Sequence, residues 1–81
     1  MFLGFLAAVA ATSLRAKALG EAIRTFRKKA NLTQERLAER ADLNYKYLGE
    51  VERGEKTISV EALARIAQAL SVRLAKLVEK L

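Results

Sequence analysis

The sequence of 81 residues has no cysteine, no histidine and no proline. Without cysteine it can form no disulfide and offers no thiol nucleophile or thiolate ligand. Without histidine it lacks the commonest general base, and with both absent the Ser–His and Cys–His nucleophile pairs are gone. No grouping of the nine carboxylates argues for catalysis, and no cofactor or metal motif is readable. The absence of proline, with only four glycines, removes the usual helix breakers and favours an all-helical chain. Long apolar runs are also scarce. Residues 1–11 are uncharged, but that is too short to cross a membrane. The run lacks the basic start of a secretory leader, although Ala8-Val9-Ala10 imitates a cleavage site.

What is present fits one small domain with 52% hydrophobic residues and a net charge of +6. That charge suits a polyanionic partner. Its distribution is uneven. Residues 17–30 carry Lys17, Arg24, Arg27, Lys28 and Lys29 against Glu21 alone. Residues 31–58 hold five basic and six acidic groups. Lys28 and Lys29 have two readings, as phosphate contacts or as cations that favour a helix C-terminus.

The most informative stretch is Leu32–Gly54. Thr33 caps a helix whose stripe is Leu37, Ala38 and Ala41, with Leu32 packing back as a staple. Ala38 supplies the small side chain needed where two helices cross steeply. Asp42-Leu43 is a turn, with Leu43 pointing inward. Asn44 then caps a second helix with Leu48 and Val51 on its buried face, and Gly54 ends it in the left-handed region. Tyr45, Lys46, Gly49 and Glu50 are expected to face outward. Two short helices joined by a tight turn have the form of a helix-turn-helix, whose second helix fits the DNA major groove. Around it, periodicity predicts a helix over 15–29 with Leu19, Ala22, Ile23 and Phe26 inward and Asn31 as its left-handed stop. Ser59 caps another running to about Leu70, with Val60, Leu63, Ile66, Ala67 and Leu70 inward. A last helix spans about 73–80. Residues 55–58 form a loop.

Gln34, Leu37-Ala38, Leu48, Glu52-Arg53-Gly54, Ser59 and Ile66-Ala67-Gln68-Ala69-Leu70 together resemble the Cro/C1-type (XRE) helix-turn-helix regulators over about residues 19–81. Asp42 departs from the pattern, which usually has glycine in the turn, but Asp tolerates the left-handed conformation. The resemblance implies an all-α, compact five-helix, lambda-repressor-like DNA-binding domain. Such regulators include phage repressors, restriction-modification controllers and antitoxins. It implies that Tyr45 and Lys46 read bases at the start of the recognition helix, with Lys46 donating to guanine. Glu50 can accept from cytosine, or pair with Lys46 one turn away. Gln34 is implied to reach a backbone phosphate. Tyr47 either contacts phosphate through its hydroxyl or packs its ring. Lys56 and Thr57 are phosphate candidates, and Arg53 either joins them or favours the helix C-terminus. Arg27 and Glu52 are implied to form a structural salt bridge.

The expected function is sequence-specific, cytoplasmic transcriptional regulation, as a repressor binding double-stranded DNA, with no small-molecule effector indicated. A homodimer follows because one recognition helix reads few base pairs and operators of this type have two half-sites about 34 Å apart. Candidates for the dimer surface are Leu74, Leu77, Val78 and Leu81, with a core role favoured for Leu74 and Leu77. Alternatives within the class are an antitoxin or a restriction-modification controller. The alternative outside it is a protein-interaction module of the same fold without DNA binding. The domain proper is placed at 15–81. Residues 1–14 form an apolar extension with Phe2, Leu3, Phe5, Leu6 and Val9. It is read as an extra helix that packs on the domain or on a partner chain, or else as residues ahead of the native start.

Overall fold

The computed structural model describes the backbone of residues 2–81 and the side chains from Leu14 onward. Five helices follow one another: α1 (Phe2–Lys29), α2 (Gln34–Arg40), α3 (Tyr45–Glu52), α4 (Val60–Leu70) and α5 (Leu74–Val78). Three of them start on a side-chain cap. Thr33, Asn44 and Ser59 each sit in extended conformation and accept a backbone N–H, from Arg36, Lys46 and Ala62 respectively.

The ends of α1 to α4 share one device. Asn31, Asp42, Gly54 and Ser71 have φ of 58, 55, 75 and 57°. In each case the next residue donates back five positions: Leu32 to Arg27, Leu43 to Ala38, Glu55 to Glu50 and Val72 to Ala67, at 2.8 to 3.1 Å. This is the Schellman closure, in which a left-handed residue lets two amides satisfy orphan carbonyls. Leu32, Leu43 and Val72, which follow the turn, pack against the core. The apolar contact that completes the motif is therefore present at three of the four ends. Asp42 and Asn31 tolerate the conformation because their short polar side chains lower its cost.

The core is built from Ile23, Leu37, Leu48, Val51, Ile66 and Leu77, all nearly fully buried, with small Ala38, Ala41 and Ala67 among them. α1 lies across α3, and a close approach makes this possible. A Cβ on Gly20 would stand 2.6 Å from the Glu52 carbonyl oxygen, and the Val51 carbonyl would be closer still. No side chain fits between these backbones.

Several expectations need correction. The extension is helical, as expected, but continuous with the next element: α1 is one helix from Phe2 to Lys29. What the side chains of residues 1–13 pack against lies outside the described residues. Val60, expected inward, is 78% exposed, and Leu74, favoured for the core, is 39% exposed. Both are first residues of their helices. Helical side chains lean toward the N-terminus, so these two point off the end of the helix instead of onto the core. Leu77 is core, which removes it from any dimer surface. Gly49 is buried instead of outward-facing. The last helix is shorter than expected, ending at Val78.

Candidate nucleic-acid interface

α2 and α3 pack together through the buried core, with Leu37, Ala38 and Ala41 on one side and Leu48 and Val51 on the other. This leaves the first turn of α3 on the surface. Asn44 accepts from the Lys46 amide at 2.7 Å, which fixes the start of the helix. Tyr45 is 59% exposed and Lys46 is exposed beside it. Among the described residues, Lys46 has no acid within 4 Å. Glu50 is half-buried, and its neighbouring cation is Lys56 at 4.0 Å, not Lys46. The i,i+4 spacing alone does not make the Lys46–Glu50 pair. The order Lys before Glu is the less favourable one on a helix, and the loop after α3 brings Lys56 to the carboxylate instead.

Behind α3 is a buried polar network. Arg27 donates from Nε to Glu52 Oε2 at 2.7 Å and from Nη2 to Oε1 at 3.0 Å. Its third donor, Nη1, reaches the Leu32 carbonyl at 2.9 Å. Gln34 Nε2 donates to Glu52 Oε1 at 3.0 Å. The Glu52 side chain is only 2% exposed, yet its charge is matched by a bidentate guanidinium, the arrangement that best offsets desolvation. One carboxylate thus ties α1, the turn after it, the first residue of α2 and the last residue of α3. Gln34 lies over Gly49, whose absent side chain leaves room for the amide: a Cβ there would stand 3.4 Å from Gln34 Oε1 and 3.2 Å from an Arg53 Nη1. This covering explains why Gly49 is buried.

The remaining candidates divide by environment. Lys56 and Thr57 are exposed in the loop after α3. The Tyr47 ring packs on the core. Arg53 is exposed and holds Glu55 through two hydrogen bonds, at 2.7 and 3.3 Å. The bond to Arg53 lowers the Glu55 carboxyl pKa, and the bond to Glu55 raises that of the guanidinium. Beside this latch runs a polar groove of about 460 Å³ between α1 and α3, lined by Lys17, Glu21, Arg24, Arg27, Gln34, Glu52 and Arg53. Reading the sequence singled out neither Lys17 nor Arg24. The signal available was the excess of cations over residues 17–30.

A capped seven-residue helix, a left-handed turn and an exposed second helix locked from behind define a helix-turn-helix. Residues 23–77 match the helix-turn-helix family. The control protein C.SmaI of Serratia marcescens is 39% identical over 62 residues, which are 76% of this chain and 74% of that protein. The immunity repressor of Bacillus phage phi105 is 37% identical over 60 residues, 74% of this chain and 42% of its own length. Among solved structures, the restriction-modification controller C.AhdI of Aeromonas hydrophila superposes with a TM-score of 0.76 at 32% identity. That match covers 76% of this chain and 94% of the controller. The chain belongs to the helix-turn-helix family, among regulators of the Cro/C1 type. Its relatives are DNA-binding regulators rather than enzymes. Among the described residues, no helix is long and apolar enough to cross a membrane.

Proposed function

We propose that this regulator is a sequence-specific, homodimeric repressor that reads a two-half-site operator through the major groove. It acts in the cytoplasm, without a cofactor. The observation that carries the reading is the first turn of α3. Tyr45 and Lys46 stand exposed at its start, on a helix whose far end is fixed by Glu52. Lys46 donates to guanine O6 or N7, Tyr45 contacts a neighbouring base, and Glu50 accepts from a cytosine amine. Gln34, Lys56 and Thr57 hold the backbone. Arg53 joins them through guanidinium donors not used by Glu55. Tyr47, with its ring on the core, contributes at most its hydroxyl. Leu74, Val78 and Leu81 on and after α5 form the dimer surface, since Leu74 and Leu81 are exposed and Val78 is partly so. Residues 1–14 add to self-association. Selection of bound sequences from random DNA, followed by protection mapping, tests this: enrichment of a two-fold-related site supports it, and recovery of no preferred sequence removes it.

Within that class, the restriction-modification controller is favoured over the antitoxin. What supports this is that the restriction-modification controller C.AhdI and the control protein C.SmaI are among the proteins this chain resembles. A restriction-modification gene pair beside its own gene would settle the choice.

A further inference from the structure

The helix-turn-helix carries little positive charge of its own. Residues 31–58 hold six acids and five bases, and the charges of Arg53 and Lys56 are partly offset by Glu55 and Glu50 beside them. A DNA-binding surface needs cations, because phosphate neutralisation and counterion release supply most of the non-specific affinity. The charge lies elsewhere, on α1. Lys17 and Arg24 project into the groove that α1 forms with Gln34 and Arg53. Both are exposed, and among the described residues neither has an acid within 4 Å. Glu21 shares the groove but leaves both cations unpaired.

We propose that Lys17 and Arg24 are DNA-backbone anchors that supply the electrostatic attraction the helix-turn-helix lacks. The proposal rests on the DNA-binding reading above. The two residues lie two helical turns apart, about 10 Å along α1, and engage separate phosphates of the strand that passes Gln34. α1 is held rigidly against α3 by the Gly20 contact and by Arg27–Glu52, so the cations stand at a fixed distance from the base-reading turn. They therefore set the register of the protein on the duplex as well as attracting it.

The test compares the full chain with Lys17→Gln and Arg24→Gln, which keep a polar side chain and remove the charge. Lys80→Gln, in the separate groove between α1 and α5, serves as control. Affinity for a duplex carrying the selected site and for a random duplex is measured across salt, with thermal unfolding in parallel. Each groove variant is expected to reduce the slope of log K against log salt by about 0.9 per protomer, so by about 1.8 for a bound dimer, on both duplexes alike, with unchanged melting. The control should leave the slope unchanged. Unchanged slopes in the groove variants, while Lys46→Ala still relaxes preference at one base pair per half-site, would overturn this proposal alone. A wild-type chain that binds neither duplex would overturn it together with the reading on which it rests.

Discussion

Arg27 and Glu52 stand 25 residues apart in sequence and are joined by two parallel hydrogen bonds in a nearly dry site. Among the described residues, the carboxylate has no other cation among its hydrogen-bond partners; its remaining partner is the Gln34 amide. Removing Arg27 would leave a buried charge with one neutral donor. Arg27→Ala should destabilise the fold by roughly 3–5 kcal/mol, and Glu52→Ala by a similar amount. Urea unfolding of both single variants and the double variant checks this. The double variant should cost much less than the sum, and simple additivity would contradict the pair.

Two glycines in helices should respond in opposite directions. Replacing an interior helical glycine with alanine ordinarily gains about 1 kcal/mol. At Gly20 the new methyl meets backbone carbonyls of α3 that cannot move aside, so Gly20→Ala should lose about 1–3 kcal/mol. At Gly49 the nearest atoms are the far ends of Arg53 and Gln34, which can shift by a few tenths of an ångström. Gly49→Ala should be neutral or stabilising by up to about 1 kcal/mol. Melting temperatures that rank the two the other way would show the helix crossing to be wrong.

Lys46→Ala should weaken binding to the selected site by roughly 1–3 kcal/mol and relax preference at one base pair per half-site. Competition with sites substituted at single positions measures this. An equal loss on every sequence would make Lys46 a phosphate contact.

Gln34→Ala should lower affinity for all duplexes about equally and leave the preferred sequence and the salt slope unchanged, because the residue is neutral. The structure adds a second effect. Glu52 loses a hydrogen bond, so unfolding should also become easier by about 1–2 kcal/mol. Unchanged affinity at full folding would return Gln34 to a purely structural role.

The apolar start of α1 should contribute to self-association. Phe5→Glu or Leu6→Glu in the full chain should shift the sedimentation of concentrated protein toward the monomer. An unchanged distribution would leave the interface to Leu74, Val78 and Leu81.

Much of the architecture was legible because caps and stops are local chemistry. Thr33, Asn44 and Ser59 have the right oxygen one residue ahead of a helical stripe, and Asn31, Asp42 and Gly54 are residue types that accept positive φ. Ser71 also adopts it, but serine gives no such signal; burial of Val72 against the core accompanies the turn there. Val60 and Leu74 show the limit of periodicity. A stripe gives the correct face but not whether the core extends as far as the first turn. At the interface, the outward side of α3 could be read from spacing, whereas the covering of Gly49 by Gln34 and the capture of Glu50 by Lys56 depend on α2 and a loop. Lys17 and Arg24 were visible only as an unassigned excess of charge, since their groove exists only once α1 crosses α3.

The sharing of Glu52 has a genetic corollary. One carboxylate secures both the guanidinium that braces the fold and the amide proposed to meet the operator, so lesions at positions 27, 34 and 52 would all appear as derepressed alleles. A screen for lost repression would therefore pool damaged scaffolds with damaged readers at 45 and 46. Temperature separates them: scaffold alleles regain repression in the cold, and reader alleles stay derepressed at every temperature.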